Sequence, residues 1–196
     1  MTSRGTPSPD DRGHVPDRGP SVVLLRGVNV GGHRTFRPAV LAAEMQHLRA
    51  VNIGAAGTFV IRAPVGRAEL RAEIARRLPF DAEIVICAGR DILELLSQAM
   101  FPAIPAGRDI VRFVSVLAAS PRAMPVLPMK IPASGPWQLQ LLAREQRFVL
   151  GLYRRQMKAI GYLGTLDRLF GVPVTTRNWN TIAAIAKVLS SEGVQP

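Results

Sequence analysis

Ser21-Val22-Val23-Leu24-Leu25-Arg26-Gly27-Val28-Asn29-Val30-Gly31-Gly32 opens the part of the chain with something to bury. Val22 to Leu25 form an unbroken β-branched and apolar run, the signature of a central strand. Glycines then turn the chain toward Pro38, a residue suited to the first turn of a helix. Leu41, Met45 and Leu48 recur at helical spacing, so residues 38–50 are predicted to be an amphipathic helix with Glu44 and Arg49 facing outward.

The same alternation continues. Gly54-Ala55-Ala56-Gly57 leads into a strand at Thr58-Phe59-Val60-Ile61-Arg62, broken by Pro64 and Gly66. Residues 67–78 predict a helix with Leu70, Ile74 and Leu78 inward and Arg67, Arg71, Arg76 and Arg77 outward, Glu73 pairing with Arg77. Residues 82–88 predict a third strand, and Asp91 is a cap for a helix running to about Met100. Alternating strands and helices imply helices packed against a sheet.

Phe101-Pro102-Ala103-Ile104-Pro105-Ala106-Gly107 reads as a boundary, dividing the chain into units at 21–105 and 106–196 behind a tail at 1–20. The tail is rich in Gly, Pro and charge, a disordered composition. Past the boundary, residues 110–117 alternate as a strand. Prolines at 121, 125, 128, 132 and 136 forbid an ordinary helix, leaving an extended crossing that Met124, Val126, Leu127 and Ile131 can anchor. Residues 137–142 and 147–153, joined by Ala143-Arg144-Glu145-Gln146, read as a hairpin. A helix follows over 158–170, interrupted near Gly161 and Gly164, and a closing helix carries Ile182, Ile185, Ala186 and Leu189.

Net charge is +11, and it falls entirely on residues 21–196, because Arg4, Arg12 and Arg18 cancel Asp10, Asp11 and Asp17. Such an excess favours polyanions through salt-sensitive attraction. The preference for Arg over Lys fits a high-GC genome equally well. Cys87, the single cysteine, sits in an apolar strand and allows no internal disulfide. No apolar run reaches membrane-spanning length and no targeting segment is visible, so the expected location is the cytoplasm.

Two stretches concentrate groups able to recognise a ligand. In the first loop Arg26, Asn29, Gly31 and Gly32 combine charge, a directed amide and exposed backbone N–H groups, an arrangement that binds anions. The order is neither GxGxxG nor GxxxxGK[ST], and the glycines serve a tight turn equally well. The second is Thr175-Thr176-Arg177-Asn178-Trp179-Asn180-Thr181. Thr175, Thr176 and Asn178 are cap residues, the following helix start suits phosphate or carboxylate, and Arg177 can grip an oxyanion bidentately. Trp179 is a stacking platform or a core plug. Thr176, Arg177, Asn178, Trp179 and Asn180 join the first-loop residues as ligand-binding candidates.

Other chemistries lack their residues. His14, His33 and His47 show no paired ligand spacing, so no metal site is expected, and no cofactor motif appears. His33 is the one acid–base candidate. No carboxylate pair stands out, and there is no GxSxG elbow.

Together, the two stretches resemble the domain of unknown function 1697 family, whose members open with R-G-[IV]-N-V-G-G after an apolar strand and close with T-T-R-N-W-N-T before a last helix. The resemblance spans about residues 21–190. It implies an α+β protein of two small ferredoxin-like (α/β-plait) subdomains, with antiparallel or mixed sheets and helices packed on one face, and it implies no known activity. Where many members carry I-Q-S-G-N, this chain has Ala55-Ala56-Gly57-Thr58, and the five prolines stand where a crossover helix is expected.

The function expected from these readings is binding of a phosphate-bearing ligand, nucleotide or nucleic acid, in a cleft formed by the two loops. Two alternatives stay open. One is an enzyme holding an anionic substrate with Arg26, Arg177, Asn178 and His33; the other is a scaffold or homodimer in which the septet pins the last helix.

Overall fold

The computed structural model describes residues 19–29, 35–98, 101 and 109–191. The first sheet is built from β1 (Ser21–Arg26), β2 (Ala50–Asn52), β3 (Thr58–Ile61) and β4 (Glu83–Ala88), in the order β2-β3-β1-β4 with every neighbour antiparallel. Its helices are α1 (Pro38–Glu44), α2 (Arg67–Arg77) and α3 (Gly89–Ser97). The second sheet contains β5 (Ile110–Leu117), β6 (Met129–Ile131), β7 (Leu139–Glu145), β8 (Phe148–Arg154) and β9 (Val174–Asn178), ordered β6-β7-β8-β5-β9 and again antiparallel. With it come α4 (Met157–Leu163), α5 (Leu166–Phe170) and α6 (Trp179–Ser190). The fold is α+β.

Three apolar cores explain why the strands are so continuously hydrophobic. Val23 and Leu25 of β1 face α1 and α2 through Leu41, Met45, Leu70 and Ile74. Val22 and Leu24 point the other way, into a central core shared with Val114 and Val116 of β5, Phe148 and Leu150 of β8, and α3 and α6. A third core joins Phe113, Leu139 and Val149 to α5 residues Leu166 and Phe170. Successive strand side chains point to opposite faces, so a strand covered on both has no polar positions. The two sheets therefore sandwich α3 and α6, with α1 and α2 outside one sheet and α4 and α5 outside the other.

Several expected boundaries move. The helix foreseen over 38–50 stops at Glu44; one 3-10 turn (Gln46–Leu48) follows, Arg49 turns left-handed at φ 52°, and Ala50 enters β2. Three residues carry too little pattern to announce a strand, and β2 exists because β3 offers it a partner. The Asp91 cap is displaced too: α3 begins at Gly89, with Asp91 in its first turn. Gly89 donates its N–H to Pro20 O at 2.7 Å, and a Cβ there would lie 2.9 Å from that oxygen. The hairpin strands extend to Glu145 and from Phe148, leaving a tighter turn with Gln146 at φ 49°. Gly164 separates α4 from α5, while Gly161 lies within α4. The proline stretch holds no helix, and its one regular piece is the edge strand β6.

Glu73 does bond Arg77, and it also accepts from Arg76 and lies 3.1 Å from His47 Nε2. Cys87 is fully buried in β4, and burial pushes its thiol up to about 11. The native thiol should thus resist Ellman's reagent at pH 8 and react only on unfolding. Between about pH 9 and 11 the unfolded chain loses this proton while the native one keeps it, so stability should fall as pH rises through that window. A Cys87→Ser protein, titrated in parallel by urea, isolates the contribution.

Candidate functional site

The septet expected as a loop is mostly strand. Thr175 and Thr176, β-branched and suited to a pleated surface, pair with Val116 and Ser115 of β5, and the helix starts directly after Asn178. Alternation along β9 then decides each side chain's fate. Thr176 Oγ1 shares a 2.7 Å hydrogen bond with Ser115 Oγ, while Arg177 crosses to the first sheet.

Arg177 is 8% exposed. Its Nε donates to Thr58 Oγ1 at 2.7 Å, its Nη2 to Leu25 O at 2.8 Å and Ala56 O at 2.7 Å, and its Nη1 to Thr176 O at 2.9 Å. Burial pushes it down to about 10, still charged at neutral pH. A buried guanidinium persists because its fork of donors meets a matching set of oxygens. The turn that presents Ala56 O depends on Gly57, at φ 63° with Leu25 and Val28 each 2.8 Å from a Cβ placed there.

Arg26 makes the reciprocal crossing. Its Nε donates to Val174 O at 3.2 Å, its Nη1 to Glu83 Oε2 at 3.0 Å and its Nη2 to Asp167 Oδ2. Asp167 Oδ1 also accepts from Val174 N at 3.0 Å. Val174 lies on the sheet's edge strand, so Arg26 and Asp167 together occupy edge groups that would otherwise invite another strand. Two further arginines bridge the halves: Arg147 donates to Leu117 O and Ile86 O, and Arg62 to Val188 O. Part of the positive excess is thereby internal fastening.

The remaining candidates divide as follows. Asn29, at φ 54°, donates from Nδ2 to Ala55 O and accepts at Oδ1 from Phe36 N, bracing the first loop against the 54–57 turn. Asn178 caps α6, its Oδ1 accepting from Thr181 N at 2.8 Å and Thr181 Oγ1 at 2.9 Å. Asn178→Ala should cost about 1 kcal/mol in urea unfolding, with Asn178→Asp close to wild type. Trp179 packs against the central core, edge-on to Phe101 at 4.7 Å between centroids. Asn180 is exposed. Gly31, Gly32, His33 and His14 lie outside the described residues.

The two stretches nevertheless meet. Leu25, Arg26, Gly27 and Val28 from one, and Thr175, Thr176 and Arg177 from the other, line a single cleft of about 560 Å³. Ala56, Glu83 and Asp167 complete its polar rim, and Ile160 and Leu163 of α4 add an apolar wall. Glu83 and Asp167 carried no signal as a pair, since a strand start and a helix's first turn 84 positions apart become neighbours only through Arg26. Thr175, one of the lining residues, is 2% exposed, and its buried hydroxyl has no hydrogen-bond partner. Among the described residues no group of three His, Cys, Asp or Glu could hold a metal, and no helix is long and apolar enough to cross a membrane.

Among solved structures, the conserved bacterial protein SP0830 from Streptococcus pneumoniae is similar, with a TM-score of 0.57 and 16% identity, over 88% of this chain and 98% of its own. Identity at that level speaks for the fold alone. No curated protein matches the sequence. The family described as Protein of unknown function (DUF1697) matches residues 20–145, which holds the first motif and stops short of the second. That match covers well over half the chain, and the protein belongs to the DUF1697 family.

Proposed function

We propose that the protein binds a small molecule in the cleft between its two sheets, each sheet being the heart of one α/β-plait subdomain (21–105 and 106–196). The observation that carries this is a cleft of about 560 Å³ lined by both motif stretches, one of whose residues, Thr175, keeps a buried hydroxyl without a partner. That volume falls within the range of ligand sites, which favour such junctions.

Charge accounting argues against a phosphate here. Arg26 is matched by Glu83 and Asp167, and Arg177 spends its donors on neutral oxygens, so two cations and two anions balance in the cleft. A phosphate would have to displace a carboxylate from Arg26.

A ligand-observed NMR screen of neutral, cationic and anionic fragments tests the reading, with Ile160→Trp as the blocking variant. Ile160 is 48% exposed at the cleft wall, so the bulkier side chain fills the space without entering a core. Hits on wild type that disappear in Ile160→Trp are expected; an empty screen, or hits indifferent to the variant, would overturn it.

A further inference from the structure

We infer that the ligand of this cleft carries a primary ammonium group on a compact apolar body, an inference that rests on the cleft being a binding site at all. Three partly exposed charged groups sit together there. Arg26, Glu83 and Asp167 have side chains 38%, 32% and 34% exposed, so this accessible trio carries one positive and two negative charges. The compensating cation, Arg177, is turned inward to Thr58, Leu25 and Ala56.

Donor and acceptor capacity lean the same way. Arg26 spends three of its five N–H groups, on Val174, Glu83 and Asp167. Each ionised carboxylate has about four lone-pair sites. Glu83 meets Arg26 through Oε2, and Asp167 spends one site on Arg26 and one on Val174 N. The unspent capacity is therefore mainly that of acceptors, and an ammonium supplies three donors with no acceptor of its own. Ile160, 48% exposed, and the half-buried Leu163 offer apolar surface beside this acceptor-rich spot, suited to the body of an aliphatic amine.

Thr175 is the independent sign that a ligand belongs here. A buried hydroxyl without a partner weakens the fold, and valine has the same shape without that cost. A residue that is worse for folding than its isostere, placed in a cleft wall, fits a group held for something other than stability.

The test is an NMR titration of the full chain with three probes that share one isopentyl body: isopentylamine, isopentanol and 4-methylpentanoate. Isopentylamine should bind most tightly, with chemical-shift changes confined to the cleft. Glu83→Gln should weaken it by about tenfold. Thr175→Val should weaken it as well while leaving the melting temperature unchanged or raised, an outcome that a purely structural threonine would not produce. If the alcohol or the carboxylate binds as well as the amine, or if Glu83→Gln leaves amine binding intact, the ammonium assignment fails and the cleft reading survives. If none of the three binds and the fragment screen is empty, both fail together.

Discussion

Replacing Arg177 with methionine is expected to lower stability by about 3–5 kcal/mol, measured as the shift of the urea midpoint at constant slope. Methionine keeps most of the buried stem and removes only the guanidinium. Four oxygens then lose a charged donor: Thr58 Oγ1, Leu25 O, Ala56 O and Thr176 O. Each unsatisfied buried acceptor costs about 1–3 kcal/mol, and removing a desolvated cation returns part of the sum. Lysine should not rescue, because one ammonium cannot reach oxygens on β1, on the 54–57 turn and on β9 together. Near-wild-type stability of Arg177→Lys would show that charge alone, and not the fork, fastens the sheets. Loss of Arg26 should be milder, because its side chain is partly exposed and water can replace its contacts.

A second large effect is expected at Gly151. In the middle of β8 this residue faces Phe113 of β5, its register partner, and a Cβ built on it would lie 2.5 Å from Gln140 O and closer still to the Phe113 ring. Phe113 is fully buried in the third core and Gln140 O belongs to the neighbouring strand, so neither can yield. Gly151→Ala should therefore cost about 3 kcal/mol, the upper part of the range for overpacking a well-filled core. Adding Phe113→Leu should recover some of the loss and leave the clash with the backbone oxygen. If Gly151→Ala unfolds at the wild-type urea midpoint, the packing of β8 between β5 and β7 is other than described.

Particular residues show how far sequence reasoning reached. β1, β4 and β5 were readable because each buries both faces, which leaves an apolar run too continuous to be a surface strand. β9 was not, since Thr175, Thr176 and Arg177 are polar, and polarity near a helix start looks like a loop. These side chains are inside because β5 supplies one pairing edge and the first sheet supplies acceptors, neither of which is visible locally. Arg26 and Arg177 illustrate the same limit. A guanidinium in a motif has the chemistry to grip an oxyanion, and nothing nearby in sequence tells whether the oxygen belongs to a ligand or to the chain's own carbonyls. Asn178 was legible in kind, a cap residue as well as a ligand candidate, and its amide oxygen accepts from Thr181 N; Asn29, a directed amide in the sequence, directs it to Ala55 O and Phe36 N.

By itself the amino-acid order determined the succession of strands and helices, the apolar faces they bury, and the two stretches around which the molecule closes, because periodicity and local propensity act over a few residues. Only tertiary structure decided that those stretches meet, that their arginines serve as fasteners, and that Glu83, Asp167 and an unpaired Thr175 hydroxyl share one cleft. Such outcomes depend on hydrogen-bond partners from 57 to 152 positions away, and the geometry of a buried donor is set only once the surrounding sheets have packed.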